Sequence, residues 1–147
     1  MNRLHSIIRN REAFSINYNW TVLEAAQYMT DKLVGAVAVL NGQRVVGIFS
    51  ERDLMTRVVA AGRSPESTMV SEVMTRDFVI GYPNDTEEEG VRKMQQARCR
   101  HLPVIQDEIL LGFISMRDLL QVEIEERNQE IKLMNEYLHS TPSVVWQ

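Results

Sequence analysis

Two stretches of the chain set glycine, serine, arginine and aspartate in the same order. They are Gly47-Ile48-Phe49-Ser50-Glu51-Arg52-Asp53 and Gly112-Phe113-Ile114-Ser115-Met116-Arg117-Asp118. These residue types at a strand-to-helix junction suit an anion that also carries a diol. A helix start offers free amide N–H groups and a positive dipole end to phosphate. Ser50 and Ser115 can donate to phosphate or to a sugar hydroxyl. Asp53 and Asp118, one turn further on, can accept from both hydroxyls of a ribose. Arg52 and Arg117 can add charge-assisted contacts to phosphate. Gly47 and Gly112 allow another backbone or a flat base to come close. The same Ser-x-x-Asp spacing also spells an N-cap with its return bond, which alone would account for a single instance. Capping does not require arginine at the same position in both copies.

Other residues compete for a chemical role. His101 suits a general base or metal ligand, but no metal-ligand spacing surrounds it, so contact with phosphate or a place in a cleft wall fits better. Cys99, beside Arg98 and Arg100, has the setting of a lowered thiol pKa; a structural cysteine is the plainer reading. Trp20 precedes a helix start and has the choice of stacking on a base or packing locally. Trp146 falls in a tail expected to fray.

The elements that position these residues come from a repeat. Shifting the 147-residue chain by 65 positions lays 21–55 over 86–120 without gaps. The identities are Thr21/Thr86, Glu24/Glu89, Met29/Met94, Val39/Val104, Gly47/Gly112, Ser50/Ser115, Arg52/Arg117, Asp53/Asp118 and Leu54/Leu119. Thr21-x-x-Glu24 and Thr86-x-x-Glu89 predict capped helices. Residues 36–40 and 45–49 predict a hairpin turning at Asn41-Gly42. In the second copy the strands are expected at 102–105 and 109–114, around Gln106-Asp107-Glu108. A short strand is expected before each copy, at 13–16 and 78–80. Gly62-Arg63-Ser64-Pro65 breaks the chain between copies, and 69–74 predicts a short bridging helix. After Asp118, Leu120, Ile124, Ile131, Met134 and Leu138 mark one long helix, for packing on its own chain or on a dimer mate.

Each unit is therefore β-α-β-β-α, of α/β (α+β) class. A unit of this size buries too little surface to stand alone, so the copies should pack with approximate two-fold symmetry. The expected division is 1–62 for the first unit with its N-terminal segment, 63–76 for the linker, 77–122 for the second unit and 123–147 for the final helix and tail.

Net charge is −4, which gives no reason to expect nucleic-acid binding. No apolar run approaches a membrane span, no signal peptide is evident, and one cysteine excludes an internal disulfide. The expected setting is cytoplasmic. No paired carboxylates or nucleophile–base pair stand out, so an enzyme is not expected.

The order of elements, the duplicated Gly-x-x-Ser-x-Arg-Asp ending and the stretch Arg100-His101-Leu102-Pro103-Val104 resemble the cystathionine β-synthase (CBS) domains, which occur in pairs. The resemblance covers about residues 13–125. It implies nucleotide sites in a cleft between the copies, with Asp53 and Asp118 on ribose and Ser50 and Ser115 on ribose or phosphate. Backbone near Thr21, Thr86, Ala36 and His101–Leu102 would frame adenine, and Arg100 and His101 would meet phosphate. The implied ligands are AMP, ADP, ATP or NAD, with S-adenosylmethionine less favoured and no required cofactor. Where the second copy has Arg100-His101-Leu102-Pro103, the first has Gly35-Ala36-Val37-Ala38, so one phosphate pole is expected rather than two. The Glu87–Glu89 run would repel phosphate if it reached the ligand. A homodimer that regulates a separate protein is the expected mode of action. A scaffold with vestigial sites, or a nucleotide-processing enzyme, are the alternatives.

Overall fold

The computed structural model describes residues 2–9 and 11–140; Trp146 and the tail lie outside the described residues. The chain forms two units of the expected kind followed by a long helix. In the first, β1 (Ser15–Asn17) pairs in parallel with β2 (Ala36–Asn41), which pairs antiparallel with β3 (Arg44–Ser50). Helix α2 (Val22–Lys32) connects β1 to β2. It opens on a complete capping box between Thr21 and Glu24, which contributes about 1 kcal/mol. Gly42 takes a positive φ of 66° at the hairpin tip.

The second unit repeats this closely. Helix α5 (Glu87–Ala97) opens on the Thr86–Glu89 box, and β4 (His101–Gln106) pairs antiparallel with β5 (Ile109–Ser115). Both hairpins shift register at the same place, between Val39 and Leu40 and between Val104 and Ile105. Here Asp107 and Glu108 both hold positive φ at the turn.

The strand expected at 78–80 is absent. It is reduced to one parallel bridge, Gly81 to Val104, equivalent to the Ile16–Val39 pair of the first unit. The reason is steric. A Cβ on Gly81 would lie 2.8 Å from Leu102 Cδ2 and 3.0 Å from Leu4 Cδ1, so Leu4 fills the space that Ile16 occupies in the other copy.

That leucine belongs to α1 (Leu4–Ile8), a helix that the sequence groups with the first unit. It packs in the core of the second, where Leu4 and Ile8 join Met94, Leu102, Val104, Ile114 and Leu119. Gly90, a weak residue for the interior of α5, makes room for it: a Cβ there would sit 3.3 Å from Leu4 Cδ2. Helix α4 (Val70–Val73), within the expected linker, does the converse. It precedes the second unit but packs in the core of the first, with Val22, Val37, Val39 and Phe49. The Thr21–Met69 and Arg3–Thr86 bridges repeat the same attachment. Each unit is thus closed by the helix that leads into the other.

Between the units, Ala36, Ala38 and Ile48 pack with Phe78, Leu110 and Phe113 in a third apolar cluster. After β3 the chain enters α3 (Glu51–Asp53) and then a π-helical stretch, Leu54–Val59. The equivalent chain after β5 is α6 (Met116–Ser140), regular throughout. Ile124, Ile131 and Met134 on α6 are more than half exposed. No helix among the described residues is long and apolar enough to cross a membrane.

Candidate functional site

Ser50 ends β3 and caps α3. Its hydroxyl accepts from the Asp53 N–H at 3.3 Å, and Asp53 Oδ2 accepts from the Ser50 N–H at 3.0 Å and from its hydroxyl at 3.1 Å. The capping reading of the motif is therefore realised. Asp53 is only 5% exposed, and its second oxygen is held as well. Thr75 forms an antiparallel bridge to Ile48 on β3, and this sets its hydroxyl 3.0 Å from Asp53 Oδ1. Arg57 Nε lies 3.7 Å from the same oxygen, while its Nη1 donates to the Met74 carbonyl at 2.9 Å. A carboxylate has about four acceptor sites. Two are filled on Oδ2, so the capacity left for a ligand is on Oδ1, shared with the Thr75 hydroxyl.

The motif opens into a cleft of about 520 Å³ between the units. From the first unit come Gly35, Ala36, Ile48, Ser50, Glu51, Arg52, Asp53 and Met55. The segment joining the units adds Thr75, Asp77, Phe78 and Val79, and the second unit adds the 97–101 run and Pro103. The floor and walls at Ala36, Ile48, Phe78, Val79 and Pro103 are apolar. The charged groups are Glu51, Asp53 and Asp77 against Arg52, Arg98 and Arg100, with the imidazole of His101 beside them.

Of the residues expected from sequence, the structure brings together Ala36, Ser50, Arg52, Asp53, Arg100 and His101 in this cleft. Leu102 is fully buried in the second core and is not among the lining residues. Thr21 and Thr86 also fall outside the lining; each caps its helix. The Glu87–Glu89 run lies outside it too, with Glu87 accepting from the Asn2 N–H. Trp20 packs edge-on against Tyr28 at 5.6 Å beside the first core, so local packing describes it. Thr75, Asp77, Phe78, Val79 and Arg98 were not anticipated. Only tertiary pairing of the linker with β3, and of α5 with the cleft, puts them there.

The second motif sits differently. Asp118 Oδ2 accepts from the Ser115 N–H at 2.9 Å and pairs with Arg11 Nη1 at 2.8 Å. Burial pushes the Asp118 pKa up, but the Ser115 N–H and the Arg11 guanidinium outweigh it and hold the group below its ordinary range. Arg117 is exposed. Ser115, Arg117 and Asp118 do not line the cleft that contains Asp53.

Burial lowers the His101 pKa from its ordinary value, Glu51 and Asp118 pull it up, and Arg100 pushes it further down; the net direction is down. Burial thus favours the neutral imidazole of His101. Burial likewise raises the Cys99 thiol, with hydrogen bonding and Arg52 opposing, which argues against a reactive thiolate. Among the described residues, no group of three or more histidine, cysteine or acidic side chains is placed to hold a metal.

Comparison with known proteins decides the family. The model of the CBS domain matches twice, over residues 6–60 and 70–125. The chain belongs to the CBS-domain family. It is 32% identical over 123 residues to the mitochondrial CBS domain-containing protein CBSX3 of Arabidopsis thaliana, covering 80% of this chain and 60% of that relative. A solved structure of a protein with CBS domains from Burkholderia ambifaria superposes with a TM-score of 0.80 at 32% identity, covering 84% of this chain and 95% of the other. A CBS domain protein from Pyrobaculum aerophilum, complexed with AMP, shares the fold at a TM-score of 0.72 and 24% identity, over 80% of this chain and 89% of that one.

Proposed function

We propose that this CBS pair binds one adenine nucleotide in the cleft between its units and acts as a regulatory module on a separate protein. The observation that carries this reading is the composition of the cleft. The apolar walls of Ala36, Ile48, Phe78, Val79 and Pro103 suit a purine, and Arg100 and His101 suit phosphate. Asp53 and Ser50 lie between them in kind, as hydroxyl-binding groups, with Oδ1 of Asp53 the atom that takes ribose. The Pyrobaculum protein of the same fold is complexed with AMP, which supports a nucleotide of this class.

Signalling would follow from linkage between the two units. Ligand touching both of them favours whichever relative placement gives it more contacts, and any effect on a partner is limited by that differential affinity. Leu120 and Ile124 on α6, and Met55 and Val59 at the equivalent positions after β3, are exposed apolar side chains, and we propose that a homodimer buries them. The reaction class is binding rather than catalysis.

The test is thermal shift of the purified protein against AMP, ADP, ATP, NAD and S-adenosylmethionine. A ligand at 100 times its Kd adds about 2.7 kcal/mol, a rise of several degrees for a chain of this size. No shift with any of them would leave the motifs as helix caps in a scaffold.

A further inference from the structure

We propose that the cleft counts phosphates, and that Arg98 is the residue that reads the second one, so that adenosine di- and triphosphate bind in preference to the monophosphate. This rests on the nucleotide reading above and extends it.

The first step is an exclusion. A phosphate at the motif would ordinarily be met by backbone N–H groups, and most of those here are spent. The Ser50 N–H donates to Asp53, the Asp53 N–H to the Ser50 hydroxyl, and the Glu51 N–H to the Gly35 carbonyl at 3.0 Å. Negative charge must therefore be met by side chains. Arg98, Arg100 and His101 come into the cleft from one short run of chain, 98–101. Arg52 ties that run to the motif, its Nη1 donating to the Arg98 carbonyl at 3.0 Å. Glu51 and His101 both come close to Gly35, and burial disfavours the charged imidazole, so the positive charge of this run rests chiefly on the guanidinium groups of Arg98 and Arg100.

The second step concerns Arg98 itself. It stands at the C-cap of α5 with a φ of 54°, a left-handed conformation in which glycine is less strained. The fold demands this backbone in both units, since Leu33 caps α2 with a φ of 58°. It does not demand a side chain there: Leu33 is 90% exposed and Arg98 is exposed as well. The arginine is thus not required by packing, and it sits on the cleft rim beside Arg100. A planar guanidinium binds phosphoryl oxygens two at a time. One phosphate can satisfy Arg100 with His101; a second gives Arg98 its own pair of oxygens.

Isothermal titration of the full chain with adenosine, AMP, ADP and ATP tests this, using wild type, Arg98→Gly and, as a charge control, Arg92→Ala on the exposed face of α5. We expect ADP to bind wild type at least about tenfold more tightly than AMP. Arg98→Gly should remove that ratio while leaving AMP affinity within about threefold, because it takes away a single charge-assisted contact. Its thermal midpoint without ligand should not fall, since glycine relaxes the cap. Arg92→Ala should keep the wild-type ratio. Equal binding of AMP and ADP to wild type, or an equal loss of both in Arg98→Gly, would overturn the proposal and leave nucleotide binding intact. Failure of every adenine nucleotide to bind wild type would overturn the nucleotide reading and this one with it.

Discussion

The two halves of the molecule carry the same cap, Ser-x-Arg-Asp, but hold its carboxylate differently. In the first half Asp53 Oδ1, left over after capping, takes the Thr75 hydroxyl at 3.0 Å, with the Arg57 guanidinium further off at 3.7 Å. In the second, the capping oxygen itself, Asp118 Oδ2, is closely paired with the Arg11 guanidinium at 2.8 Å. A hydroxyl is a partner that a ribose hydroxyl can share or replace at little cost. A guanidinium is not, because displacing it leaves an ion pair broken. The halves differ again where phosphate would lie: Arg98, Arg100 and His101 of the second unit correspond to Leu33, Gly35 and Ala36 of the first. They differ a third time in the helix that follows. The Leu54–Val59 stretch is a π-helix bordering the cleft at Met55, whereas α6 is regular. An interruption of this kind is frequent at functional sites. Duplication thus supplied two equal frameworks, and a few side chains outside the motif distinguish the one whose cleft we propose for the nucleotide.

The comparison can be broken at several points. The largest effect expected is structural. Leu4→Ala empties a fully buried site in the second core and should cost about 2–5 kcal/mol in urea unfolding, with the first unit's cleft residues untouched. A loss below about 1 kcal/mol would mean that α1 does not close that core.

Asp53→Ala comes next. It removes the return half of the capping box, the bonds from the Ser50 N–H and hydroxyl, and leaves the Thr75 hydroxyl without its acceptor, which should lower stability by about 1–3 kcal/mol. Nucleotide affinity should fall by tens-fold. Asp118→Ala should cost about 1 kcal/mol of cap and leave affinity unchanged. Equal losses of affinity in the two variants would erase the distinction between the halves.

A smaller effect depends on pH. The folded His101 pKa lies below the ordinary value near 6.5. As pH falls through that range the unfolded chain takes the proton first, so the ligand-free protein loses stability. Bound phosphate favours the protonated imidazole instead, so affinity should tighten severalfold between about pH 8 and about pH 6. In His101→Asn both trends should flatten. The first unit has Ala36 at the equivalent position, so a pH dependence that survived this change would have to come from elsewhere.

The smallest effect tests the ion pair. Arg11 and Asp118 are both more than a quarter exposed, so Arg11→Ala should lower stability by under about 1 kcal/mol. Nucleotide stoichiometry should stay at one per chain, because the first unit has Leu33, Gly35 and Ala36 where the second supplies Arg98, Arg100 and His101. A rise to two would show that Arg11 alone kept the second half closed.

Much of this fold is written in short-range pattern. Thr21 with Glu24, Thr86 with Glu89, the turn at Asn41-Gly42 and the Ser50–Asp53 cap all join groups within four residues of one another. Their geometry follows from local backbone and side-chain chemistry wherever the chain goes. The 65-residue repeat made the pairing of two units legible, and the run Arg100-His101 placed the cations in one half. What only the tertiary structure decided lies over longer separations. The exchange of α1 and α4 between cores, the loss of the strand before Gly81 in favour of Leu4, the hydroxyl of Thr75 on Asp53 and the guanidinium of Arg11 on Asp118 all depend on which surfaces meet after the units pack. No local propensity encodes those meetings. Asp53 and Asp118 are identical in their own motifs, and what separates them is a partner supplied from a distant part of the chain.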